Sequence, residues 1–156
     1  TAAMGLAVRA IGNGMQVGIV QFVKGAWKTG EREILEKFPE LCTIKAMGDG
    51  FTWDTQDRQR DIDAAIAAWK LAQAMMDDPS NKMVILDELN IVLRYEYLPL
   101  EEIIKVLSMK RKDLHVVITG RNAKEPLLDL ADLVTEMTQV KHPFRQGIKA
   151  QIGIEY

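Results

Sequence analysis

Met83-Val84-Ile85-Leu86-Asp87-Glu88 is the stretch on which the fold turns: four apolar residues, two of them β-branched, run straight into two carboxylates. A continuous apolar run of this length suits a strand covered on both faces, as in a parallel sheet, where the alternation of polar and apolar residues is lost. Two runs of the same kind flank it in the chain. They are Val17-Gly18-Ile19-Val20-Gln21-Phe22-Val23 and Leu114-His115-Val116-Val117-Ile118, each followed by polar residues. Thr43-Ile44-Lys45-Ala46 and Leu133-Val134-Thr135-Glu136-Met137 read as weaker strands.

Helical patterns fill the spaces between these runs. From about Thr55 to Met76 the residues Ile62, Ala65, Ile66, Trp69, Ala72 and Met76 form one apolar face opposite a charged one. Leu98-Pro99-Leu100-Glu101-Glu102 opens a second helix, with proline and acids where a helix N-terminus favours them, and Ile103, Ile104 and Leu107 point inward. Glu125-Pro126 opens a third, carrying Leu127, Leu128 and Leu130. The Ala-rich stretch Thr1 to Ile11 is helical up to the stop signal Gly12-Asn13-Gly14. Apolar strands alternating with amphipathic helices predict an α/β domain with a parallel sheet and right-handed crossovers. Nothing precedes Thr1 to cap the first helix, so one domain over residues 1–156, truncated before its first helix, is expected.

The 156 residues, with 47% hydrophobic and 27% charged side chains, are enough for one sizeable core. A net charge of −2 gives no broad field for a polyanion, which argues against nucleic acid as a partner. Lys110-Arg111-Lys112 is the densest basic run and reads as a solvated helix end. No run approaches the roughly 18 to 20 apolar residues of a membrane span, so a cytoplasmic protein is expected. The single cysteine, Cys42, has no disulfide partner and reads as a buried, inert thiol.

Ligands of open parallel sheets bind beyond the carboxyl ends of the strands, so the residues at the strand exits carry the functional information. Asp87 and Glu88 fit a Walker B pattern, in which carboxylates hold Mg²⁺ directly or through water; the same pair also fits a helix N-cap with a first-turn acid. Thr119-Gly120-Arg121 follows the 114–118 run. Its arginine suits phosphate binding and equally a structural ion pair. Lys24 to Arg32 is a loop with two glycines and three basic residues, fit for a substrate loop or an ordinary surface one. In Gly48-Asp49-Gly50-Phe51-Thr52-Trp53-Asp54-Thr55, Phe51 and Trp53 lie two apart and face the same way if extended. They either plug the core beneath the loop, with Asp54 or Thr55 capping the next helix, or form an aromatic wedge for a large flat ligand.

Taken together, these segments resemble the P-loop type ATP:corrinoid adenosyltransferases over essentially the whole chain. The resemblance is carried by TAAMGLAVRAIG, VGIVQFVKGAW with GER, GFTWDT, VILDEL, YEYLPLEEI, VITGR, LLDLADLVTEM and VKHPFRQGIKAQIGIEY. GFTWDT and the C-terminal run are the specific pieces, whereas VILDEL and VITGR have counterparts in many nucleotide-binding folds. The resemblance implies a three-layer, P-loop NTPase-like (RecA-like) α/β domain with a mostly parallel sheet. It implies transfer of the 5′-deoxyadenosyl group of ATP to the Co(I) of a corrinoid, releasing triphosphate. ATP, Mg²⁺ and corrinoid come with that reaction, as do a homodimer and a reduced, flavodoxin-like flavoprotein as electron donor.

By the same resemblance, Phe51 and Trp53 are the aromatics that displace cobalt's lower axial ligand, leaving four-coordinate Co(II) that is more easily reduced. Burying one such ring is worth at most about 4 to 6 kcal/mol at ~25 cal/mol per Å². At about 59 mV per 1.4 kcal/mol, that sets a ceiling of roughly 200 mV on the rise in potential. Glu88 resembles the metal-associated carboxylate, with Asp87 beside it, and Arg9 and Arg121 match positions near the nucleotide. Family members carry a Gly-rich Walker A loop ending in Gly-Lys-Thr just before the segment matching Thr1-Ala2-Ala3. That loop is missing from this sequence, which implies weak ATP binding by these 156 residues alone. A nucleotide-binding RecA-like regulatory module, or a truncated inactive corrinoid-binding homologue, are the alternatives.

Overall fold

A computed structural model describes residues 2–23, 29–47 and 57–154. Three of its four strands are the runs that the sequence singled out. β1 (Gln16–Gln21), β2 (Cys42–Ala46), β3 (Asn81–Asp87) and β4 (His115–Ile118) form one sheet in the order β2-β1-β3-β4, with every pairing parallel. Parallel neighbours need crossovers, and helices supply them: α2 (Gly30–Leu35), α3 (Arg58–Asp77) and α5 (Leu100–Ser108), with α1 (Ala2–Gly12) leading into β1. Short helices α4 (Leu89–Arg94) and α6 (Glu125–Leu130) follow β3 and β4. A 3-10 turn spans Pro143–Gln146.

The lost alternation in β3 has its cause in two cores, one on each face of the sheet. Val84 and Leu86 point into a cluster with Trp69, Ala72, Leu93, Ile103 and Leu107, whereas Ile85 points the other way, toward Ala7, Val17, Ile19, Leu35 and Ile44. α1 and α2 therefore cover one face and α3, α4 and α5 the other, which gives three layers. The crowding is close at Gly18, where an added Cβ would lie 3.0 Å from the Met75 sulfur of α3.

The strand order also fixes where a ligand can enter. From β1 the chain moves to one side, to β2, and then jumps back across β1 to β3 on the other side. Such a reversal opens a crevice between the carboxyl ends of the two strands it separates, here β1 and β3. Asp87 ends β3 at that crevice, level with Gln21 at the end of β1.

Several sequence expectations are corrected. Leu133–Met137 is not a strand: it has no ladder neighbour among the described residues, and Leu133 and Met137 are 84% and 80% exposed. A strand needs partners for its backbone N–H and C=O groups, and local β-propensity cannot supply them. Ile66 falls on the exposed side of α3, and of the three leucines in α6 only Leu127 is buried. α3 starts at Arg58, capped by Asp57, whose side chain accepts the Arg60 N–H at 3.1 Å.

Arg111 also departs from the solvated helix end expected of its basic run. Its Nε donates to the Met76 carbonyl at 3.3 Å, and its Nη2 donates to the carbonyls of Asp78 and Asn81, each at 2.9 Å. Its Nη1 grips both oxygens of Asp113 at 3.0 Å, and Lys82 Nζ holds the same carboxylate at 2.9 Å. One guanidinium thus ties the end of α3 and the start of β3 to the turn that feeds β4.

Candidate functional site

Three adjacent strands end in polar residues at the crevice: Gln21 from β1, Asp87 from β3 and Thr119 just past β4. The register sets them level, because Gln21 pairs with Asp87, and Leu86 with Ile118 one residue earlier. Asp87 uses both carboxylate oxygens within this row. Oδ1 accepts the Thr119 hydroxyl at 2.9 Å and Oδ2 accepts the Gln21 amide at 3.3 Å.

Glu88 is different. Its backbone sits in the left-handed region, at φ 64° and ψ 22°, which costs a residue with a Cβ about 1 kcal/mol. The Glu88 N–H donates to Thr119 Oγ1 at 2.9 Å. Its carboxylate Oε2 is buried and finds no hydrogen-bond partner among the described residues. Burial, and then the neighbouring Asp87 charge, push the Glu88 pKa up, while the Arg121 guanidinium works in the opposite direction. An unsatisfied, desolvated carboxylate at a strand exit is costly to keep, and such costs concentrate where a ligand completes the site.

Gly120 lets the two strand exits approach this closely. Its φ is +124°, and a Cβ there would lie 2.8 Å from Asn90 Cβ, so both backbone shape and space demand glycine. Asn90 itself is buried at the start of α4, with its N–H donating to the Thr119 carbonyl at 3.2 Å and its Oδ1 without a partner among the described residues.

The structure thus brings Asp87, Glu88 and Arg121 together, Arg121 being exposed and close enough to influence Glu88. It does not bring Arg9 to them. Arg9 is exposed in the last turn of α1, the end that turns through Gly14 and Met15 into the start of β1, so it stands toward the amino ends of the strands. Phe51 and Trp53, and the residues of the basic loop from Lys24 to Lys28, lie outside the described residues. Cys42 is buried, which raises its thiol pKa, as expected of an inert core cysteine.

Sequence reading alone missed Gln21 and Thr119 as members of the site. The available signal was positional: Thr119, like Asp87, is the polar residue that ends an apolar run, and Gln21 is the one polar residue within the 17–23 run. No helix among the described residues is long and apolar enough to cross a membrane.

Comparison with known proteins identifies the family. The sequence model of the family described as ATP:corrinoid adenosyltransferase BtuR/CobO/CobP matches residues 1–156. A corrinoid adenosyltransferase of Sinorhizobium sp is 52% identical over 158 residues, covering 100% of this chain and 74% of that protein. Those of Pseudomonas aeruginosa and Salmonella typhimurium, the latter named CobA, are 50% and 49% identical over 156 residues, covering 77% and 79% of the relatives. The α/β layers, the parallel sheet and the full-length match agree, and this chain belongs to the ATP:corrinoid adenosyltransferase family.

Proposed function

We propose that this chain aligns ATP with a reduced corrinoid at the β1–β3 crevice, and that Glu88 is the carboxylate through which Mg²⁺ and the triphosphate are held there. The observation that carries the reading is the buried Glu88 Oε2, without a partner among the described residues, beside an Asp87 whose two oxygens are already engaged. Such a donor set fits a hard cation: Glu88 offers an oxygen, and Asp87 acts behind it or through water. Among the described residues no group of three or more His, Cys, Asp or Glu side chains forms a metal cage. That fits Mg²⁺, which keeps waters and phosphate oxygens in its shell. When bound, the cation would neutralise the triphosphate as a leaving group.

The family reaction needs no protein nucleophile. The electron pair of Co(I) attacks C5′ of ATP, the C5′–O bond breaks, and triphosphate leaves with that bond's electrons. The chain's own tasks are to hold the two substrates in line and to offset the charge that develops on the leaving group. Arg121 serves as a phosphate or ribose contact, supported by its position beside Glu88. Arg9, at the far turn of α1 and toward the amino ends of the strands, is given no role at this crevice. Phe51 and Trp53 are assigned to the corrin side, where they displace the lower axial ligand of Co(II) before its reduction. The electron comes from a reduced flavoprotein of the flavodoxin kind, in the cytoplasm, and the working unit is a homodimer.

Calorimetric titration of ATP with and without Mg²⁺ tests the assignment. Mg²⁺ should tighten ATP binding to the wild-type chain, and Glu88→Ala should remove most of that gain. An undiminished Mg²⁺-dependent gain in Glu88→Ala would overturn it.

A further inference from the structure

Thr119 carries a pair of hydrogen bonds that the proposed chemistry leaves unused. Its hydroxyl donates to Asp87 Oδ1 and accepts from the Glu88 N–H, each at 2.9 Å, so one oxygen atom bridges the two consecutive residues of the acidic pair. A hydroxyl has one proton and can give it in one direction only. Here the proton goes to Asp87 and the lone pair takes the Glu88 amide. The backbone around it is laced as well: the Thr119 N–H donates to the Leu86 carbonyl, and the Thr119 carbonyl accepts the Asn90 N–H, both at 3.2 Å. Thr119 is therefore bonded to every residue from Leu86 to Asn90 except Leu89.

We infer that Thr119 is a positioning residue for the acidic pair: its hydroxyl occupies Asp87 and pins the left-handed backbone of Glu88, so that Glu88 alone presents a carboxylate oxygen to the cation. This inference rests on the reading of Glu88 as the metal-associated carboxylate. The physical logic has two parts. Asp87, with Gln21 on one oxygen and Thr119 on the other, is oriented and electrostatically occupied, so it acts on the cation from behind. Glu88 keeps a disfavoured φ of 64°, and a backbone held in such a region needs an external bond to hold it there. The Thr119 hydroxyl supplies that bond. An ordinary α-region Glu88 would turn its side chain elsewhere. The methyl group of threonine restricts the side-chain torsion, so the hydroxyl is set before any ligand arrives.

The test uses the full chain with Thr119→Val, which keeps the shape and removes the hydroxyl, and Thr119→Ser, which keeps the hydroxyl. Two readouts are taken: amide hydrogen exchange at Glu88 by nuclear magnetic resonance, and Mn²⁺ binding in the presence of ATP by water-proton relaxation. Thr119→Val should speed exchange of the Glu88 amide at least tenfold and weaken Mn²⁺ binding by a similar factor, and Thr119→Ser should stay within about twofold of wild type in both. Glu88 exchange in Thr119→Val equal to wild type would overturn the inference, whatever the metal does. Mn²⁺ binding left unchanged by Glu88→Gln would instead sink the assignment of the cation to Glu88, and the exchange data would still decide whether Thr119 pins the backbone.

Discussion

Glu88 concentrates the conflict between stability and the proposed function in one side chain. Its carboxylate is desolvated and lies next to Asp87, both of which raise its pKa, and its Oε2 has no hydrogen-bond partner among the described residues. The sign for stability follows directly. A carboxyl whose folded pKa lies above its unfolded value binds more protons in the native state between the two, so native stability falls as pH rises through that interval. The ionised form burdens the fold at neutral pH, and the burden is gone below the unfolded pKa of about 4.3. Glu88→Gln should therefore gain thermal stability relative to wild type as pH is raised from 4 to 8, read as a widening difference in Tm. A difference in Tm that stays flat over this range would contradict the assigned burial. The acidic pair was legible in the sequence because it follows a hydrophobic run. Gln21 and Thr119 were not singled out, since a lone polar residue has no pattern of its own and gains meaning only when register sets it beside Asp87.

Elements were legible to the extent that their own residues determined them. β1 and β3 announce themselves because burial on both faces removes every polar residue from the middle of the run, and α3 because its apolar stripe recurs at helical spacing. Leu133–Met137 has the composition of a strand and lacks a neighbour among the described residues, which composition cannot reveal. α4 is six residues long, too short for a periodic signal, and begins from the left-handed Glu88. Arg111 marks the opposite error, a residue that looks like surface charge and acts as a clasp. Its bonds to the Met76 and Asp78 carbonyls satisfy acceptors at the end of α3 that no helical N–H can reach, and its bond to the Asn81 carbonyl ties in the start of β3. Arg111→Ala should lower unfolding stability by about 2 kcal/mol at neutral pH, measured by urea denaturation. Arg111→Lys should recover less than half of it, because an ammonium cannot span carbonyls and carboxylate in one plane. Full recovery by lysine would mean that charge, and not the planar fork, provides the stabilisation.

At the scale of the whole molecule, the alternation of strands and helices predicts the class, while the order β2-β1-β3-β4 is a long-range property that no local pattern encodes. That order is what matters for the proposed function. It reverses direction between β1 and β3, opens the crevice there, and brings the carboxylates at the end of β3 level with polar residues from both neighbours. The specific pieces of the family resemblance lie elsewhere, in GFTWDT and the C-terminal run, so the nucleotide and corrin halves of the proposed site draw on different parts of the chain. The corrin half can be tested by optical titration of Co(II)balamin with the full chain at millimolar MgATP. The wild-type chain should show the absorption change that accompanies loss of cobalt's lower ligand, and Trp53→Ala should not. A wild-type spectrum that stays that of five-coordinate Co(II)balamin, or a Trp53→Ala variant that shifts as fully as wild type, would contradict the corrin assignment.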